Sequence, residues 1–133
     1  MTTVLAFGAF DPLHAGHAHL LAHAAAYGDK LVVALAIDDA IRELKHHEPR
    51  QTFDERKAAL MLLPPVDDVV MSVPNDGFAV IDAVQPDVIA TGYDQQHLRD
   101  ALTDWMATHR TIPVVNVDAH EPEKYKSSLL NQA

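Results

Sequence analysis

Residues 4–17 read Val4-Leu5-Ala6-Phe7-Gly8-Ala9-Phe10-Asp11-Pro12-Leu13-His14-Ala15-Gly16-His17, and the way this stretch folds decides the rest. Val4 to Phe7 is an unbroken apolar run of strand length, as expected of a strand covered on both faces. A loop containing glycine and proline follows. From about His17 to Tyr27 the spacing turns helical, with Leu20, Ala24 and Tyr27 on one stripe and Gly28 at the C′ position. The first N–H groups of such a helix have no intrahelical partner and its dipole is positive there, so an anion such as phosphate is favoured. His14 in the loop and His17 in the first turn are three apart and can converge on that anion. Two imidazole donors added to backbone donors suit charge developing on a transferring phosphoryl group. Gly8 and Ala9 are small enough to let the backbone approach a ligand closely.

Outward from this unit the same alternation continues. Leu31 to Ile37 reads as a second strand, and Asp38-Asp39 caps a short helix through Leu44. A polar loop runs from Lys45 to Gln51. Thr52-Phe53-Asp54-Glu55 is a capping box, opening a helix stopped by Pro64-Pro65. Strands are expected at Val69 to Val73, Asp87 to Thr91 and Pro113 to Val117, and helices at Phe78 to Val84 and His97 to Arg110. Lys126 to Leu130 adds a helical turn or two. Five strands joined by helical crossovers imply an α/β protein: a doubly wound, Rossmann-like five-stranded parallel sheet in three α/β/α layers. Residues 1–133 read as a single domain. In such a fold the site lies outside the carboxyl ends of the strands. The unusual residues fall there: Gly8 to His17, Asp38-Asp39, and Gly92-Tyr93-Asp94-Gln95.

Composition narrows the function. Ten Lys+Arg against 19 Asp+Glu give a net charge of −9, which excludes an electrostatic grip on nucleic acid. With no cysteine there is no disulfide scaffold, thiolate zinc site or Cys nucleophile. No apolar run reaches the ~20 residues of a membrane span, and the first residues carry no basic leader, so a cytoplasmic location without membrane partners is expected. Four of nine histidines, His14, His17, His19 and His23, fall within ten residues. His19 and His23 are i, i+4 and could clamp a metal together, as a metal hydrolase would need, but no third ligand has an evident place beside them. Arg56 occupies the first turn of its helix, where a cation is disfavoured, and so hints at an anionic partner.

The stretch Gly8 to His17 resembles the signature of the nucleotidyltransferase superfamily that carries an H-x-G-H motif. Asp54-Glu55-Arg56-Lys57, after a loop with Lys45, resembles a block of the small cytidylyltransferases, including those acting on glycerol 3-phosphate. Gly92-Tyr93-Asp94-Gln95 and Tyr125-Lys126-Ser127-Ser128 are more similar to the archaeal-type FAD synthases, which transfer AMP from ATP to FMN. Where the cytidylyltransferases carry an arginine before their serine-rich turn, this chain has Glu121-Pro122-Glu123-Lys124.

The resemblance implies in-line attack by an acceptor phosphate on the α-phosphate of a nucleoside triphosphate, releasing pyrophosphate. His14 and His17 then hold the α-phosphate, while Lys45 and Arg56 face the triphosphate or the incoming phosphate. Lys126, Ser127 and Ser128 bind the outer phosphates, and Phe10, Asp11, Gly92, Tyr93 and Asp94 line the nucleotide. Mg²⁺ accompanies the triphosphate near Asp11 or Asp94, held mainly by phosphate oxygens and not by a protein-only site. Tyr93 and Trp105 are the candidate platforms for a flavin ring. The preferred partners are ATP and FMN, and the alternative is CTP with a phosphorylated alcohol. A sensor module that binds nucleotide without chemistry is the reading of a different class. The resemblance also makes a homodimer an expectation that no residue decides.

Overall fold

Five short apolar segments pair into one parallel sheet. A computed structural model describes residues 1–74 and 76–117, and of Leu44 only the backbone. The strands are β1 (Thr3–Gly8), β2 (Lys30–Ala36), β3 (Asp68–Ser72), β4 (Val88–Gly92) and β5 (Val114–Val117). The helices are α1 (Ala15–Ala25), α2 (Asp38–Lys45), α3 (Phe53–Met61), α4 (Ala79–Val84) and α5 (Gln96–Thr108). Strand order is β3-β2-β1-β4-β5, and every pairing is parallel. The order reverses between β1 and β4, so the loops after these two strands flank the switch point at which such sheets bind ligands. Lys126, Ser127, Ser128 and the helical turn expected over 126–130 lie outside the described residues. Among the described residues no helix is long and apolar enough to cross a membrane.

The period-two alternation of a strand sends neighbouring side chains to opposite faces. Val4 and Ala6 face a core built with Leu21 and Ala24 of α1 and Leu60 of α3. Leu5 and Phe7 face a second core with Val80 and Ile81 of α4 and Leu102 and Trp105 of α5. These two cores make the three-layer arrangement.

At the amino ends of the strands, aspartates act as staples. The carboxylates of Asp29, Asp67 and Asp87 accept hydrogen bonds from the backbone N–H groups of Thr2, Leu31 and Thr3, each at 2.8 Å. Each aspartate stands immediately before its own strand and ties it to a neighbour. Much of the acidity on this face is therefore structural and lies opposite the site.

Three details differ from the sequence reading. Helix α1 starts two residues before His17, and its buried residues are Leu21 and Ala24, whereas Tyr27 lies past the C-cap, Ala26, and is half exposed. Gly28 is not a left-handed cap; a Cβ there would come within 2.6 Å of the Thr2 carbonyl oxygen, so close packing on the start of β1 requires it. Asp38 and Asp39 do not cap α2, whose N-cap is Ile37, but occupy its first turn and pair with arginines.

Candidate active site

Helix α1 is capped by its histidines. His14 is the N-cap, and its Nδ1 accepts a hydrogen bond from the Gly16 N–H at 3.1 Å. Three residues on, His17 Nδ1 accepts from the His14 N–H at 3.2 Å. This is a capping box in which imidazoles replace the usual hydroxyl and carboxylate. The two rings stack with centroids 3.6 Å apart, and Phe10 meets the His17 ring edge-on at 4.8 Å. Because both Nδ1 atoms accept, the proton of each neutral ring resides on Nε2. Each ring thereby presents a donor beyond the cap. Burial, then the charges of His14 and Lys45, lower the His17 pKa to about 4, so that ring is neutral at pH 7. No acidic residue occupies the first turn of α1 to compete with an incoming anion.

Lys45 is the last residue of α2, not part of the loop, and is exposed. Its charge is the smallest of the three causes that lower the His17 pKa.

Arg56, in contrast, does not face solvent. It is 0% exposed, and its guanidinium donates to the carbonyl oxygens of Ala36 at 2.6 Å, Ala9 at 3.0 Å and Gln51 at 3.1 Å. A further donor meets Asp38 Oδ1 at 2.6 Å. Its anionic partner is thus Asp38, and its other donors satisfy carbonyls at the carboxyl end of β2, in the histidine loop and before α3. Asp11 is used in the same way: its two oxygens accept the Arg50 and Gln51 N–H groups at 2.7 and 2.8 Å. Asp11 and Arg56 together bind the loop after α2 to the loop after β1. Phe10, 3% exposed, lies beneath the loop and supports His17 rather than lining a nucleotide surface. Gly8 is required by that ring, because a Cβ would come within 2.6 Å of Phe10 Cε2. Its smallness makes room for Phe10.

The loop after β4 is pinned by Gln95, which the sequence places at the site, and by Arg99, which it does not single out. Gln95 Oε1 accepts the Gly92 N–H at 2.7 Å while its Nε2 donates to the Phe7 carbonyl at 2.9 Å, bridging β4 to β1. Arg99 donates to the Gly92 carbonyl at 2.6 Å, Asn116 Oδ1 at 3.1 Å and Gln96 Oε1 at 3.0 Å. The signal that singles out Arg56, a cation in a first helical turn, is present at Arg99 as well. Both arginines satisfy carbonyls that parallel strands leave unpaired at their carboxyl ends. Tyr93 is 41% exposed at this end and Asp94 is exposed, so both are accessible to a ligand. Trp105 is buried in the second core and is no flavin platform.

Beside the histidine loop lies an open cleft of about 450 Å³. Gly8 and Ala9 form its edge toward the histidines, and Phe7, Val73, Pro74 and Phe78 give it apolar walls. Among the described residues no group of three or more His, Asp or Glu is placed to hold a metal. The His19 and His23 rings stand 4.0 Å apart on α1.

A doubly wound sheet whose switch point carries a helix N-terminus free of acidic residues and capped by two imidazoles is the arrangement of a nucleotide-dependent group-transfer enzyme. Known proteins agree with this class. The pattern of the cytidylyltransferase-like family matches residues 5–133, and the chain belongs to that family of nucleotidyltransferases. It is 44% identical over 132 residues to the FAD synthase of Halobacterium salinarum, covering 98% of this chain and 88% of that protein. It is 35% identical over 132 residues to the FAD synthase of Halorhabdus utahensis, covering 98% and 91%. Among solved structures, the lipopolysaccharide core biosynthesis protein from Thermoplasma volcanium is similar, with a TM-score of 0.81 and 30% identity over 90% of this chain and 98% of that one.

Proposed function

We propose that this nucleotidyltransferase adenylylates FMN, converting ATP and FMN to FAD and pyrophosphate. One oxygen of the FMN phosphate attacks the α-phosphorus of ATP, and the bond to the bridging oxygen of the β-phosphate breaks in line. The Nε2–H groups of His14 and His17 and the positive end of α1 meet the charge on the α-phosphate, and Lys45 neutralises the adjoining phosphates. The neutral His17 ring suits this role, since the reaction needs donors in fixed positions and no proton transfer to the enzyme.

The observation that carries the choice of acceptor is the apolar cleft sharing Gly8 and Ala9 with the histidine loop. Its volume of about 450 Å³ is that of a site for a drug-sized ligand, and its aromatic walls suit a planar ring. A phosphorylated polyol would leave these walls wet. The resemblance to two FAD synthases over nearly the whole chain supports the same choice.

Mg²⁺ would accompany the triphosphate and neutralise it, bound chiefly to phosphate oxygens. The exposed Asp94 carboxylate fits a water-mediated contact with such an ion. Asp11 does not, because both its oxygens already accept backbone N–H groups. Pyrophosphate release tests the reading directly. FMN with ATP should give release, and glycerol 3-phosphate with CTP little. Release from the second pair alone establishes a cytidylyltransferase, and nucleotide binding with no release from any acceptor establishes a sensor.

A further inference from the structure

Phe78 stands in the wall of the cleft in a conformation that its residue type disfavours. It is the N-cap of α4, at φ 58° and ψ 44°, in the left-handed region that bulky side chains rarely adopt. It makes no side-chain cap. A serine or aspartate here would cap the helix, and a glycine would take this backbone freely. Phenylalanine does neither, so its local conformation is not explained by the needs of α4.

The ring accounts for it. It meets the ring of Phe7 edge to face, with centroids 5.9 Å apart and planes at 81°. It is partly buried against the core that contains Val80, and it also lines the open cleft. The same cleft reaches Gly8 and Ala9 at the histidine loop. A planar ligand on Phe78 could therefore extend a phosphate-bearing chain toward His14 and His17. Non-glycine residues held in strained backbone regions concentrate at ligand clamps.

We propose that Phe78, braced by Phe7, is the platform on which the planar ring of the acceptor stacks, and that it sets the preference for an aromatic over an aliphatic phosphorylated acceptor. This rests on the reading of FMN as acceptor. The test is steady-state kinetics of F78A, F78L and F78W against wild type, with thermal melts as a folding control. In F78A the KM for FMN rises about tenfold or more, while the KM for ATP stays within about twofold. F78L, which keeps apolar volume without a ring face, shows the same rise and serves if F78A does not fold. F78W restores the KM, and FMN quenches the indole emission that this variant adds.

An FMN KM within about twofold of wild type in whichever of F78A and F78L folds overturns the proposal, as does F78W emission unmoved by saturating FMN. Wild-type enzyme that forms no FAD from FMN and ATP defeats the reading of the acceptor, and the proposal with it. Normal FAD formation with unchanged variant KM values defeats the proposal alone.

Discussion

In the proposed reaction His14 and His17 use one ring nitrogen to cap α1 and the other to meet the substrate. Their Nδ1 atoms accept the N–H groups that cap α1, leaving Nε2–H for the substrate. Truncating His17 to alanine removes both functions. By analogy with loss of one oxyanion donor, turnover of H17A should fall by about 10² to 10³, measurable as pyrophosphate release. H17Q separates the two roles, because glutamine in this position can still accept from the N-cap. The H17Q variant should melt near the wild-type temperature at pH 7 and still lose most of the activity.

The pH dependence has a fixed sign. In the folded protein the His17 pKa is lowered to about 4, below its ordinary value of 6.5. Between these values the unfolded chain binds a proton that the folded chain does not, so stability from this group is complete above pH 6.5 and is lost as pH falls toward 4. Melting scans of wild type and H17Q should diverge in this window, with wild type the steeper. Parallel curves would contradict the assignment. Arg56 makes a different contrast. If it contacted phosphate, R56K would change kinetics alone. As a buried tie to Asp38 and three carbonyls, it should cost about 3–5 kcal/mol when truncated, read as a large drop in melting temperature.

At the scale of elements, the pattern of strands and helices was legible because the central strands β1, β2 and β4 are largely buried apolar runs and the segments between them carry helix start and stop signals. The capping box at Thr52 and Glu55 forms as its spacing requires. Less legible was what each polar residue near the strand ends does. Carboxyl ends of parallel strands carry carbonyls that need donors, and amino ends carry N–H groups that need acceptors. Arg56 and Arg99 supply the first, and Asp29, Asp67 and Asp87 the second. Both demands are long-range, so neither leaves a local signature beyond a cation misplaced in a helix turn or an aspartate before a strand. Phe78 was hidden likewise, since its membership of a helical segment is visible in sequence and its left-handed backbone is not. The staples carry a prediction: D67A should lose about 1.5–3 kcal/mol by denaturant unfolding, and D67N, which keeps an acceptor, less.

For the molecule as a whole, a net charge of −9 is reconciled with polyphosphate substrates by where the charges lie. Stapling aspartates occupy the amino ends of the strands, while the helix terminus and Lys45 make a local positive site at the other end. Affinity for triphosphate is therefore expected to depend on a small, fixed set of donors rather than on a basic surface. ATP at a hundred times its Kd should stabilise the fold by about 2.7 kcal/mol. The corresponding rise in melting temperature should exceed that with CTP at the same concentration. Transfer of the adenylyl group of ATP to FMN is tested most directly by supplying ATP labelled at the α-phosphorus and following the label. Label in FAD with unlabelled pyrophosphate is the result expected; label remaining in ATP, or leaving with any product other than FAD, contradicts the claim.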